Sequence, residues 1–113
     1  FIALTVNTSY YVGEEHVASS VAAIPVTEVE KMGISVDDQP AVEHFVLEEL
    51  YKKARRSELV MSAMEWGEEE DDKPKTPILL VMDEVLSDTD RAISYHKYWM
   101  DSNWYRFSLE RGR

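Results

Sequence analysis

Five consecutive carboxylates form the densest group of chemically active side chains in this sequence: Glu68, Glu69, Glu70, Asp71 and Asp72. Like charges resist packing, so one interpretation is a solvated loop tip. A second is a docking element, because a negative patch steers the association of a basic protein. A third is a divalent cation site built from oxygen ligands, but the run lacks the alternating ligands and central glycine of an EF-hand. We expect no metal and no other cofactor here.

Charge is segregated along the whole chain, whose formal net charge is −10. Residues 1–51 carry nine carboxylates against Lys31, and residues 58–90 carry eleven against two lysines, whereas 52–56 and 91–113 are basic. Blocks of this kind create fields that select partners. The net acidity disfavours binding to nucleic acid or to an anionic membrane. It favours a basic protein as the partner.

Catalytic and metal-binding signatures are missing from the sequence. His16, His44 and His96 are isolated and do not form an HExxH or ExxH pair. The chain has no cysteine, no glycine-rich phosphate loop and no nucleophile elbow. We therefore expect a protein that is not an enzyme.

Aromatic residues concentrate near the C-terminus, where six of the twelve fall between Tyr95 and Phe107 with Arg and Lys interleaved. One interpretation is that one face of a strand is core while cationic stems lie over the rings of the other. A second is a protein interface, in which Trp99, Trp104 and Tyr105 are buried anchors. A third is stacking of single-stranded nucleic acid.

The N-terminal half predicts a hairpin followed by helices. Alternation from Ile2 to Asn7 and an extended pattern from Val17 to Ile24 predict two antiparallel strands, ended by Pro25. Residues 10–12 either continue the first strand or begin its turn. Thr27 is expected to cap a short helix that ends at Gly33.

Asp37 or Asp38 is expected to cap a longer helix that runs to about Arg56, with an apolar stripe of Val42, Val46, Leu50 and Ala54 flanked by Leu47 and Tyr51.

The C-terminal half predicts a β-meander. Segment 57–66 is ambiguous between helix and strand, and 67–77 is a charged loop that we expect to be mobile. The apolar run 78–82 predicts the innermost strand. Residues 91–100 alternate loosely, which favours a further strand, although Asp88 could instead cap a helix there. Alternation predicts a last strand at 104–109, whose exposed edge could add to another sheet.

The resulting fold prediction is one acidic α+β domain over residues 1–113, in which one long and one short helix pack on an antiparallel sheet. Its chain length suits one domain, and no apolar run approaches the roughly 20 residues that cross a bilayer. A cytoplasmic location is the expectation, and the chain does not begin with Met, so a preceding segment is possible.

The leading functional hypothesis is a stoichiometric inhibitor that docks on a basic nuclease, toxin or nucleic-acid-binding complex, as an immunity protein or a DNA mimic does. Charge would bring the partners together and aromatic burial would slow their release. The expected contact residues are Glu14, Glu15, Asp37, Asp38, Glu43, Glu48, Glu49, the 68–72 run, Trp99, Trp104 and Tyr105. The alternatives are an assembly subunit that oligomerises through the C-terminal strands, and single-strand nucleic-acid binding. A monomer or a homodimer fits these hypotheses.

Overall fold

A computed structural model describes residues 2–65, 78–110 and 112 of the chain. Within those ranges it contains one five-stranded antiparallel sheet with the order β1-β2-β5-β4-β3. The strands are β1 (Ala3–Val12), β2 (Glu15–Pro25), β3 (Arg56–Glu65), β4 (Ile78–Asp88) and β5 (Arg91–Asp101). Short helical segments between β2 and β3 pack on one face of it. The predicted α+β class with an antiparallel sheet is therefore confirmed.

The N-terminal hairpin forms as predicted, with Ala3 of β1 opposite Pro25 of β2. Gly13 begins its two-residue turn with a φ of +61°, a conformation that glycine adopts without a Cβ penalty. The register then places alternate residues of each strand on the helix-covered face.

The first helix, α1 (Val26–Lys31), is short as expected, but its N-cap is Pro25 and no side chain caps it. Thr27 lies inside the helix, so the predicted Thr27 cap was wrong. Gly33 does follow the end of the helix with a φ of +72°, and its N–H donates to the carbonyl of Glu30.

The second helical region departs from the single long helix of the prediction. It consists of α2 (Gln39–His44), a π-helical segment (Phe45–Glu49) and α3 (Leu50–Lys53). Asp38 caps α2 as predicted, since its carboxylate accepts from the N–H of Ala41 at 3.2 Å. The extra residue of a π-helical turn rotates the face that follows it, a local effect that the 3.6-residue periodicity of the sequence does not reveal.

The C-terminal half holds the largest differences from the sequence prediction. Segment 57–66 resolves to a strand, β3, which pairs with β4, although Trp66 lies outside the described residues. The predicted innermost strand was wrong: β5 is central, and Ile78 of β4 is half-exposed. Residues 104–109 form a turn and irregular chain instead of a strand, so the edges of the sheet are β1 and β3. The predicted loop 67–77 lies outside the described residues.

The hydrophobic core lies between the helical segments and one end of the sheet. Its fully enclosed members include Ile24, Val29, Phe45, Leu50 and Ile93. Ile93 is the extra residue of a bulge, because Leu86 pairs with Ser94 while Ser87 pairs with Ala92. The helices therefore cover only part of the sheet, and every residue of β3 is exposed.

Candidate functional site

A cavity of about 70 Å³ lies between the helical region and the sheet, beside the apolar core. Such a volume is enough for several water molecules, and it is smaller than the ~300 Å³ of a typical drug-sized site. Hydroxyl-bearing and small apolar side chains surround it. The lining comprises Val6, Thr8, Tyr10, Ser20, Ala22, Val46, Leu47, Tyr51, His96 and Tyr98.

Strand register assembles the floor of this cavity. Val6 of β1 lies opposite Ala22 of β2, which lies opposite His96 of β5, and His96 lies opposite Glu84 of β4. The neighbouring row places Thr8, Ser20 and Tyr98 side by side in the same way. Because side chains of one face recur every second residue, both rows point toward the helices.

The helical region supplies the roof through Tyr51 of α3. Its hydroxyl donates to Glu84 Oε1 at 2.6 Å and lies 2.8 Å from the hydroxyl of Tyr98. Since the single Tyr51 hydrogen is used on Glu84, Tyr98 is the donor of the second bond. Two tyrosine hydroxyls therefore form a directed chain that ends on a buried carboxylate and ties α3 to β4 and β5.

Burial keeps both tyrosines in their protonated, donating form. It raises the pKa of Tyr51, and the hydrogen bond to Glu84 raises that pKa further. Burial also raises the pKa of Tyr98, and the negative charge of Glu84 adds to that shift, although the hydrogen bond with Tyr51 opposes it. At neutral pH neither hydroxyl ionises, so neither is a competent general base.

His96 completes the buried polar group. Its Nε2 lies 2.8 Å from the hydroxyl of Ser94, and its ring stacks against Tyr98 with a centroid separation of 6.2 Å. Burial lowers the pKa of His96, although the charge of Glu84 opposes that shift. A neutral imidazole at pH 7 follows, so the described lining of the cavity carries no formal charge.

The acidic residues predicted from sequence do not converge on this cavity. Glu14 lies in the hairpin turn, Glu15 begins β2, and Asp37 lies in the turn before α2. The helical carboxylates make local contacts: Glu43 accepts from Gln39, and Glu49 pairs with Lys52. Two other carboxylates are Asp38, the cap of α2, and the exposed Glu48. The 68–72 run lies outside the described residues.

The predicted aromatic anchors are equally dispersed. Trp99 projects from the face of β5 opposite to His96 and Tyr98, where Lys97 Nζ lies 5.5 Å from its ring centroid. Trp104 is exposed in the turn after β5, and Tyr105 is half-buried in the chain that follows. The three do not form a common surface with the cavity.

Sequence reasoning missed Glu84, His96 and Tyr98 as members of one site, and it assigned Tyr51 to an apolar stripe. A signal was present in β4, where Glu84 interrupts an otherwise apolar set of alternating positions between Met82 and Leu86. A charged residue in the buried phase of a strand indicates a paired or functional group. Among the described residues no cluster of His, Asp or Glu could hold a metal ion.

Residues 2–65 and 78–110 contain no helix that is long and apolar enough to span a membrane. Neither a protein-family model nor a curated protein sequence matches the chain.

Solved structures do share its fold. A GntR-family transcriptional regulator from Enterococcus faecalis V583 matches with a TM-score of 0.70 and 16% identity, over 96% of this chain and 81% of that one. The effector-binding domain of the trehalose repressor of Bacillus subtilis matches with a TM-score of 0.65 and 15% identity, over 93% and 76%. The C-terminal domain of Yurk from B. subtilis matches with a TM-score of 0.65 and 14% identity, over 96% and 78%.

This likeness corrects the functional hypothesis drawn from charge. The chain shares its fold with domains of transcriptional regulators, including one that binds an effector, so the predicted inhibitor of a basic protein was wrong. The predicted roles as an immunity protein or DNA mimic and the predicted basic partner were wrong for the same reason. The physical cause of the error is that net charge describes long-range fields and carries no information about fold.

Proposed function

We propose that this chain is the sensing domain of a transcriptional regulator and that a small molecule binds in the cavity between α3 and the sheet. The observation that carries the proposal is a hydrogen-bonded polar group beside an apolar core, in which the buried Glu84 and His96 are joined by the half-exposed Tyr51 and the partly buried Tyr98. Convergent polar groups in a preformed concavity are the usual mark of a ligand site. The fold shared with regulator domains supports the same conclusion.

The position of the cavity suggests how binding would be communicated. Its walls belong to two parts of the molecule, since Val46, Leu47 and Tyr51 come from the helical region and the other lining residues from the sheet. A ligand that contacts both parts favours the conformation in which the helical region lies against the sheet. The π-helical segment just before α3 is a type of irregularity that is common at functional sites.

The site is proposed to bind its ligand without transforming it. Tyrosine is protonated at neutral pH, burial raises the pKa of Tyr51 and Tyr98 further, and His96 is held by Ser94. These groups suit recognition better than proton abstraction. A regulator of transcription acts beside DNA, and we accordingly propose a cytoplasmic location.

Thermal unfolding in the presence of a metabolite panel tests the proposal. A ligand present at 100 times its Kd stabilises the folded state by about 2.7 kcal/mol and raises the Tm. The variant Tyr98→Phe should lose most of that increase, because it removes a hydroxyl from the cavity. Tyr95→Phe is the matched control, since Tyr95 lies on the opposite face of β5 and is exposed.

Two results would contradict the proposal. One is a panel in which no compound raises the Tm; the other is a ligand whose effect is lost equally in Tyr95→Phe and Tyr98→Phe. Conversion of the ligand, followed by NMR of the small molecule, would contradict the non-catalytic role alone.

A further inference from the structure

The hydrogen bonds at the cavity run in one direction. Tyr98 donates to Tyr51, whose hydroxyl donates in turn to Glu84. The Tyr98 oxygen therefore presents only acceptor lone pairs to anything in the cavity. A ligand that meets Tyr98 must supply a hydrogen, as an ammonium group or a hydroxyl does.

The charges around the cavity are negative or absent. Glu84 is buried, and its Oε1 lies 2.6 Å from the hydroxyl of Tyr51. Tyr51 lines the cavity, whereas Glu84 does not line it directly. Among the ion pairs of residues 2–65 and 78–110, none includes Glu84. The whole chain adds a net charge of −10. A phosphate or carboxylate would meet repulsion here without a described cation to offset it, whereas a cation would be attracted.

Aromatic rings add a second attraction for a cation. Tyr10 and Tyr98 reach the cavity from the sheet, and Tyr51 reaches it from α3. The face of a tyrosine ring attracts an ammonium group when the group lies within about 6 Å of the ring centroid. Three tyrosines around a small cavity therefore favour the same ligand that Glu84 favours.

We propose that the cavity selects a small organic cation, with a primary ammonium group that donates to Tyr98 and lies under the field of Glu84. This assignment rests on the proposed function, because it names the ligand class of the same site. Hydroxyls of Thr8 and Ser20 are available to a polar group on the remainder of the ligand. The ligand carries no phosphate.

Three probes of equal carbon length test the assignment: 4-aminobutan-1-ol, butane-1,4-diol and 4-hydroxybutanoate. They share a hydroxyl end and differ only in whether the other end is positive, neutral or negative. Titration of the isotopically labelled chain, followed by NMR shifts of residues around Tyr51 and Tyr98, measures the Kd of each. We expect the amine to bind about tenfold more tightly than the diol, and the carboxylate to bind more weakly than either.

Two variants separate the local carboxylate from the overall charge. Glu84→Gln should reduce the preference for the amine over the diol by about tenfold and leave the diol almost unchanged. Asp83→Asn is the matched control: it removes the same charge from the adjacent residue, which faces the other side of the sheet and pairs with Lys97. That control should keep the preference for the amine.

The outcomes distinguish failure of the cationic ligand from failure of the ligand site itself. Tighter binding of the diol or the carboxylate overturns the cationic ligand and leaves a small-molecule site standing. An equal loss of preference in Asp83→Asn and Glu84→Gln also overturns it, because the overall charge would then be the cause. If none of the three probes shifts the cavity residues, the cavity is not a ligand site, and both proposals fail.

Discussion

Among the described carboxylates, Glu28 and Glu84 are buried on the helix-covered side of the protein, and their surroundings are opposite. Glu28 of α1 is 2% exposed and is contacted by Lys31, Lys53 and Arg91 at distances of 2.9 to 3.5 Å. Glu84 of β4 is 8% exposed and has a tyrosine hydroxyl as its hydrogen-bond partner. The first carboxylate is compensated by three cations, whereas the second accepts a hydrogen bond from a neutral donor.

The contrast separates a buried charge that holds the helices on the sheet from one that borders the proposed ligand site. Burial by itself would raise the pKa of Glu28, but the hydrogen bond and charge of Lys53, with Arg91 and Lys31, lower it overall. The cluster joins α1, α3 and the start of β5, so its function is to fix the helices on the sheet. The Glu84 group borders a cavity, and the charge of Glu84 has no cationic partner among the described residues. The proposed cationic ligand would compensate that charge.

The largest loss of unfolding free energy is expected from Glu28→Gln. The variant leaves three cations around a neutral side chain, and loss of one partner from a buried charge cluster should cost about 3 kcal/mol of unfolding free energy. Urea unfolding at neutral pH measures the change. Glu30→Gln is the control on the exposed face of the same helix and should stay within about 0.5 kcal/mol of the parent. Equal stability of the two variants would contradict the assigned role of Glu28.

The sequence could predict the local elements but not this division of roles. The hairpin, the Asp38 cap and the strand at 91–100 follow from alternation and capping rules that involve neighbours in the chain. Nothing in the sequence near Glu28 marks it as the centre of a charge cluster. Its partners Lys53 and Arg91 lie 25 and 63 residues away, and only the tertiary fold brings them together.

The same limit explains the missed cavity. Tyr51, Glu84 and Tyr98 are brought together by the pairing of β4 with β5 and by hydrogen bonds from α3, which follows the π-helical segment. The conspicuous charges and aromatics of the sequence, such as Glu48 and Trp104, lie in exposed positions where many side chains are tolerated. The conspicuous residues of the sequence therefore lie at the surface, whereas the candidate site combines single residues from separate elements.

Tyr51→Phe is expected to have the second largest effect, on the Glu84 side of the comparison. It removes the donor to a buried carboxylate, which should cost about 2 kcal/mol of unfolding free energy because the acceptor stays desolvated. Urea unfolding of Tyr95→Phe provides the control, since that hydroxyl is on the opposite face of the sheet. A neutral result for Tyr51→Phe would mean that the hydroxyl chain does not stabilise the contact between α3 and the sheet.

The Glu84 group, which includes His96, and the Glu28 cluster should lose their contributions to stability at different pH. The folded state lowers the pKa of His96 beneath its ordinary 6.5, so stability is full above that value and falls as pH drops through the folded pKa. The pKa of Glu28 is lowered from 4.5, so its contribution is full above 4.5 and is lost only in more acidic solution. Glu84, Tyr51 and Tyr98 are the titratable groups around the His96 ring.

Urea unfolding at about pH 7 and about pH 5.5 measures the contribution of His96 to the pH dependence of the unfolding free energy. The parent should be less stable at the lower pH, and His96→Gln should show a smaller loss than the parent. His44→Asn, in which an exposed histidine is replaced, should retain most of the decline. If His96→Gln declines as steeply as the parent, burial of His96 is not the source of the acid sensitivity.

The smallest change in stability is expected from Glu84→Gln, and it tests the comparison most sharply. The amide keeps an oxygen that can accept from Tyr51, and it removes a buried charge that has no described cation partner. Loss of a charge-assisted hydrogen bond and relief of desolvation therefore oppose each other, and the net change in unfolding free energy should be within about 1 kcal/mol. Under the same conditions, Glu84→Gln should leave the urea midpoint nearly unchanged, whereas Glu28→Gln should lower it. A loss as large as that of Glu28→Gln would show that Glu84 is a structural charge with a strong compensating partner, and the cavity would then have no preference for a cation.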